Sequence, residues 1–172
     1  MFEYALVFIF PFMMIFSSFS DLFSMNISNK VSLILIVAFV IFVMVLGMDM
    51  HTILWHFITF TLVLSIGFAL FAANIIGGGD AKLAASTALW LGWAHTAPYI
   101  LLASVIGGLL TLLILKFRSI LVPEKLNKLE WVLRLHDKNN GAPYGIALGV
   151  AALFVYPTTP WMEQVIALTA KI

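Results

Sequence analysis

The stretch from Thr52 to Ala73 constrains the fold more than any other part of the chain, because it contains no Asp, Glu, Lys or Arg. As an α-helix it would extend about 33 Å, enough to cross a hydrocarbon core of about 30 Å. Composition agrees, since 63% of the 172 residues are hydrophobic and 10% are charged, whereas soluble domains contain about 25% charged residues. The sequence therefore predicts an integral membrane protein.

Other apolar segments flank this stretch, separated by polar residues, glycine and proline. The predicted spans, about six in all, are Tyr4–Phe19, Val31–Leu46, Thr52–Ala73, Ala81–Trp93, Tyr99–Leu115 and Pro143–Tyr156. Four tryptophans near predicted outer ends are expected to lie at the membrane interface: Trp55, Trp90, Trp93 and Trp161. The predicted fold is an all-α membrane bundle that forms a single domain over residues 1–172.

The polar stretch before the last span carries a second helical pattern. Pro123-Glu124 is a helix-start signal. Apolar residues then recur at helical spacing opposite basic ones: Leu126, Leu129, Val132 and Leu133 against Lys125, Lys128 and Arg134. This pattern predicts a short amphipathic helix on the cytoplasmic membrane surface, between helices five and six.

The basic residues predict the orientation. All but one of the nine Lys and Arg residues fall in the loops after the first, third and fifth spans, and the exception is Lys171. Because basic residues accumulate in cytoplasmic loops, these loops are expected inside and both termini outside. Asp21 and Asp80 then both lie at the cytoplasmic edge of the membrane.

Charge and composition exclude several kinds of function. A formal net charge of +1 with no basic patch gives no reason to expect a nucleic-acid partner. The absence of cysteine excludes a thiol nucleophile and a cysteine zinc site. The four histidines offer no pair at ligand spacing on one helical face, so neither a metal nor another cofactor is expected.

The least membrane-like segment is the glycine turn from Asn74 to Lys82, which contains Gly77, Gly78, Gly79 and Asp80. Consecutive glycines allow positive φ angles and the close approach of another chain. Asp80 is expected at the start of a helix, where a carboxylate can serve simply as a cap. An ionisable residue between hydrophobic spans is, however, a candidate for function.

Asp21 and Asp80 are predicted at the same membrane edge, so they can converge if their helices pack together. Two close carboxylates share a proton: the ionised one activates water, and the protonated one polarises a carbonyl group. That arrangement supports peptide hydrolysis without a metal. The alternative for Asp21 is a loop cap or a solvated surface acid.

Gly77-Gly78-Gly79-Asp80 fits the Gly-x-Gly-Asp motif of intramembrane aspartyl proteases, and the following Ala81-Lys82 makes the segment resemble the type IV prepilin peptidases. In that family the first catalytic aspartate follows helix one and precedes an Ile-Pro-Asn element. Asp21 and Ile27-Ser28-Asn29 resemble this pattern, with Ser28 in place of the proline. Pro143-Tyr144-Gly145 is similar to the start of the last helix in the short branch that serves tight-adherence (Flp-type) pili.

The resemblance implies that Asp21 and Asp80 are catalytic. It implies supporting roles for Gly77, Gly79, Lys82 and Asn29, and contact of Pro143, Tyr144 and Gly145 with substrate. The simpler alternatives are membrane anchoring for Lys82, capping for Asn29 and a helix start at position N1 for Pro143.

The implied substrate is a prepilin with a short leader followed by an apolar helix, cut at the cytoplasmic face of a bacterial inner membrane. Membrane lipid is the other expected partner, and a homo-oligomer is left open. The chain lacks the amino-terminal methyltransferase domain with its four-cysteine zinc site that larger family members carry, so leader cleavage alone is expected.

Two other functions remain open on the sequence. A protease of the presenilin or signal-peptide-peptidase type also has Gly-x-Gly-Asp, but its Pro-Ala-Leu element is absent here. A small transporter or pilus-assembly subunit would use the acids to carry protons or cations, and would need them deeper in the bilayer.

Overall fold

The computed structural model describes residues 2–123 and 126–162, with side chains from residue 7 onward except at position 127. This part of the chain is a helical bundle. Its α-helices are α1 (Phe2–Ser24), α2 (Asn29–Leu46), α3 (Met50–Ala72), α4 (Gly78–Arg118), α5 (Glu130–His136) and α6 (Tyr144–Val155). Single 3₁₀ turns lie at Leu126–Lys128 and Tyr156–Thr158. Of the described helices, α1 to α4 are long and apolar enough to cross a membrane, and α6 is apolar but shorter.

The helix ends follow local sequence signals. Ser28 accepts a hydrogen bond from the Lys30 N–H and so caps α2, which ends at Gly47 in the left-handed conformation. Asp49 caps α3 by accepting hydrogen bonds from the N–H and the hydroxyl of Thr52. These bonds hold the pKa of the exposed Asp49 carboxyl below its usual range.

Gly92 divides α4 into two arms, residues 78–91 and 93–118. Its φ of +69° and ψ of −178° are open to glycine and strained for other residues. Asp80 and Ile100 line one cavity, although a straight helix would separate them by about 30 Å. The second arm therefore folds back along the first. The predicted interruption between Trp93 and Tyr99 is wrong, because the chain turns at Gly92 and Pro98 lies inside the second arm.

An aromatic cluster holds the first arm of α4 in the bundle. Trp90 is fully buried, and its indole N–H donates to the Leu35 carbonyl at 3.0 Å. Rings from α1, α2 and the turn after α6 surround it: Phe10, Phe39, Phe42 and Tyr156. The prediction of interface positions for Trp90 and Trp161 is wrong, since both are buried, whereas Trp55 and Trp93 are exposed.

Hydrogen bonds from the end of α4 hold the segment between α4 and α6 in place. Arg118 donates to the carbonyls of Leu135, Asn140 and Gly141. The helix predicted to start at Pro123-Glu124 begins at Glu130 and is only seven residues long. It buries Val132 and Leu135 and leaves Leu129 and Leu133 exposed. Its membrane-surface position stays a prediction; Glu124, Lys125 and Lys171 lie outside the described residues.

Candidate active site

Asp21 lies near the end of α1 with 5% of its surface exposed. Its Oδ2 accepts a 2.7 Å hydrogen bond from the N–H of Gly145, at the start of α6. The expected position after helix one is wrong, since α1 continues to Ser24. Near the helix end the Ser24 hydroxyl donates to the Ser20 carbonyl, and the Ser20 hydroxyl donates to the carbonyl of Asn26.

Asp80 lies in the first turn of α4, as the sequence predicts, and is partly buried. The helix is capped by Gly77, which has no side chain to satisfy the free N–H groups. Gly77 is also close to the carboxylate: a Cβ there would lie 2.9 Å from Oδ2 of Asp80. The motif glycine thus leaves the Asp80 carboxylate open beside the helix start.

The three motif glycines do not use the positive φ angles that are open to them. Gly77 has a φ of −71°, Gly78 and Gly79 are helical, and the left-handed residue of this turn is Asn74, with a φ of +56°. The expected close approach is present, because a Cβ at Gly79 would lie 3.2 Å from Cβ of Ile27. The second motif glycine therefore allows tight packing against Ile27 rather than an unusual backbone conformation.

The start of α6 links the two aspartates. Gly145 holds Asp21, while Tyr144 lines a cavity together with Asp80. Ile27 packs between these elements, within reach of both Gly79 and Gly145. The Asp21 and Asp80 side chains, 59 positions apart in sequence, therefore both lie beside the start of α6. The structure thus brings together Asp21, Asp80 and the Tyr144-Gly145 pair.

Asn29 and Lys82 form a separate contact at the rim of this region. The Lys82 ammonium donates a 2.8 Å hydrogen bond to the side-chain oxygen of Asn29, and both residues are exposed. The contact joins the starts of α2 and α4. Asn29 is the first residue of α2, and its cap is Ser28, so the expected capping by Asn29 is wrong.

The first residues of α6 differ slightly from the sequence prediction. Pro143 occupies the cap position and Tyr144 is the first helical residue, so the alternative that placed the proline at N1 is wrong by one position. Pro143 and Gly145 are buried, whereas Tyr144 is 39% exposed. The Tyr144 hydroxyl lies 3.3 Å from the hydroxyl of Thr111 on the second arm of α4.

Sequence reasoning gave no role to Ile27, Thr111 or Gly107. Ile27 belonged to the recognised Ile-Ser-Asn element and could have been singled out there. Gly107 faces Tyr144 so closely that a Cβ would lie 2.8 Å from its ring. Neither Gly107 nor Thr111 stands out in the apolar run around it, because only folding brings that run to α6.

The arrangement can support general acid–base chemistry by two carboxylates. Among the described residues, no group of three or more His, Cys, Asp and Glu side chains is placed to hold a metal ion. The polar groups gathered at the start of α6 are the Asp21 and Asp80 carboxylates and the Gly145 N–H.

A family model described as the type IV leader peptidase family matches residues 8–112, well over half of the chain. The chain belongs to the type IV leader peptidase family. The family prediction from the glycine motif is therefore confirmed. The matched region of this leader peptidase family member includes both aspartates, Asn29 and Lys82, whereas Gly145 lies beyond it.

No curated protein and no solved structure matches this family member significantly. Membership establishes a peptidase family, in agreement with the membrane-helix character of α1 to α4. Family membership favours a leader peptidase over the two alternatives left open by the sequence, a presenilin-type protease and a transport or assembly subunit.

Proposed function

We propose that this chain is a prepilin leader peptidase, an aspartic endopeptidase that uses Asp21 and Asp80 as its catalytic pair. The observation that carries the proposal is the convergence of the two carboxylates at the start of α6, where Gly145 binds Asp21 and Tyr144 borders the space beside Asp80. Both acids also lie in the region that matches the family model.

The proposed reaction uses one proton shared between the two carboxyl groups. The ionised carboxylate takes a proton from water, and the oxygen of that water adds to the scissile carbonyl carbon. The protonated carboxyl donates its proton to the carbonyl oxygen. The tetrahedral intermediate then breaks its C–N bond, and the departing amine takes up the proton held by the first carboxyl group. As the C=O bond forms again, one hydroxyl of the intermediate returns its proton to the second carboxylate, which restores the shared-proton pair.

The Gly145 N–H has a defined part in this proposal. It donates a hydrogen bond to Oδ2 of Asp21 and so fixes the rotation of the carboxylate. In the proposed mechanism Oδ1 then binds the water or the shared proton. Backbone donors of this kind position a catalytic group without a flexible side chain.

The proposal includes six membrane crossings, with the two arms of α4 counted separately. The end of α1, the starts of α2 and α4, the end of α4 and the start of α6 then share one face, where Lys30, Lys82, Lys116 and Arg118 also lie. Basic residues favour the cytoplasmic face of a bacterial inner membrane.

The substrate leader would reach the aspartates from the cytoplasm, while the apolar helix of the substrate stays in the bilayer. Pro143-Tyr144-Gly145 favours Flp-type prepilins as substrates.

The test is cleavage of a prepilin reporter by full-length enzyme in membranes, with Asp21→Asn, Asp80→Asn and the double variant. Asparagine preserves size and can still accept the Gly145 hydrogen bond, so the variants remove the chemistry and keep the packing. Each single change should abolish cleavage, and the double variant should be no worse than either.

Asp49→Asn is the matched control. Asp49 is exposed and caps α3, and asparagine caps helices about as well as aspartate. This variant should cleave like the unmodified chain. Substantial leader cleavage by either Asp21→Asn or Asp80→Asn, with normal amounts of protein in the membrane, would contradict the proposal.

A further inference from the structure

A cavity of about 160 Å³ lies beside Asp80, between α3, both arms of α4, and α6. Its lining is apolar except for Asp80 and the edge of Tyr144: Val63, Gly67, Leu70, Ile76, Asp80, Ala81, Ala84, Ile100, Tyr144 and Leu148. Because Asp80 is the only ionisable carboxylate in the lining, the cavity is an apolar space with one reactive group on its wall.

The cavity extends from Asp80 toward the interior of the bundle. On α4 its lining continues from Asp80 to Ala84, one turn further from the helix start, and on α6 it continues from Tyr144 to Leu148. On α3 it reaches back to Val63, well before the helix ends at Ala72. The cavity is thus on the membrane-interior side of the carboxylate.

Small residues create this space. Gly67 and Ala81 pack so closely that a Cβ on Gly67 would lie 3.0 Å from that of Ala81. This contact brings α3 and α4 together at one end, while Ala84 leaves the wall recessed one turn further along. Ile100 and Tyr144 are both more than a third exposed, so the cavity opens at the side of the bundle.

The volume sets the size of the group that fits. An apolar cavity of about 150 Å³ in another protein binds benzene, and the present cavity is about 160 Å³. A phenyl ring or a branched aliphatic side chain would fill it. Apart from Asp80 and Tyr144 the lining side chains are apolar, so a polar or charged side chain deeper in the cavity would lose its hydration without gaining a side-chain hydrogen-bond partner.

We propose that this cavity is a specificity pocket that receives one apolar, ring-sized side chain of the substrate, on the membrane-embedded side of the bond cleaved at Asp80. This inference rests on the proposed function. When a peptide bond is held at Asp80, the substrate segment that continues into the membrane lies on the same side as the cavity. Residues of a membrane-embedded segment are predominantly apolar. The lateral opening beside Ile100 and Tyr144 gives that residue a path from the bilayer.

The experiment compares two prepilin reporters that differ only in the residue after the cleavage site, which is Phe in one and Ala in the other. Ala84→Leu places a branched side chain at the recessed wall. It should lower the ratio of Phe-reporter to Ala-reporter cleavage by about tenfold or more, since steric changes in apolar pockets discriminate at that level. Ala97→Leu makes the same change at an exposed position of the second arm and should leave the ratio unaltered.

A second variant works in the opposite direction and does not depend on Ala84→Leu folding. Leu148→Ala enlarges the cavity, so it should raise cleavage of a Trp reporter relative to the Phe reporter. Ratios unchanged in both variants would overturn the pocket and leave the proposed function standing. If the unmodified enzyme cleaves neither the Phe nor the Ala reporter, the proposed function itself fails, and the pocket assignment fails with it.

Discussion

The N–H of Gly145 donates a 2.7 Å hydrogen bond to Oδ2 of Asp21, although the two residues are 124 positions apart in the sequence. The contact joins the end of α1, which lies in the region matched by the family model, to the start of α6, which lies beyond that region. Gly145 is buried, and a Cβ on it would lie 2.8 Å from Oδ2 of Asp21 and 2.7 Å from Cδ1 of Ile27. The absence of a side chain is therefore what lets the backbone reach the carboxylate.

Gly145→Ala is expected to reduce leader cleavage by about tenfold or more, because the added methyl group displaces Asp21 from its position. The measurement is cleavage of a prepilin reporter by membranes with matched amounts of enzyme. Gly108→Ala is the control, since a Cβ at Gly108 meets no atom within 4 Å. Normal cleavage by Gly145→Ala would show that the hydrogen bond is dispensable.

Gly92→Ala is expected to destabilise the protein by about 1–3 kcal/mol, because a positive φ with an extended ψ is strained for residues with a Cβ. The new Cβ would also lie 2.7 Å from Cε1 of His56, whose Nδ1 is 2.6 Å from the Leu89 carbonyl oxygen. Thermal unfolding in detergent micelles measures the effect.

The double variant Gly92→Ala/His56→Ala separates the two causes. It relieves the contact with the ring, yet the backbone strain remains. Its midpoint of unfolding should therefore stay below that of His56→Ala alone. Equal midpoints for these two variants would mean that the steric clash, and not the backbone conformation, makes glycine necessary at the turn between the arms of α4.

The proposed orientation predicts that Asn139, between α5 and α6, is cytoplasmic. The reason is the accumulation of basic residues in the predicted inner loops. Fusions of a cytoplasm-active and a periplasm-active reporter at Asn139 provide the measurement, with fusions at Asp49 expected to give the reciprocal result. A periplasmic Asn139 would place the aspartates on the wrong face for a cytoplasmic leader.

Sequence alone determined the helical membrane character and the family. Uninterrupted apolar stretches such as Thr52–Ala73 have few stable structures in lipid other than a helix, because every backbone N–H and C=O must be paired within the segment. The glycine motif with Asp80 is local in sequence, so it could be recognised without the fold. The caps of α2 and α3 are equally local, yet the cap expected at Asn29 lies one residue earlier, at Ser28.

Tertiary structure decided the details that depend on distant parts of the chain. Trp90 resembles an interface tryptophan in sequence, but the Leu35 carbonyl satisfies its indole N–H and permits full burial. The turn between the two arms falls at Gly92 rather than near Pro98, because only a residue without a Cβ fits beside His56 with that backbone. The Gly145 contact with Asp21 and the cavity beside Asp80 likewise depend on how α1, α3, α4 and α6 pack, since each combines residues that no local pattern relates.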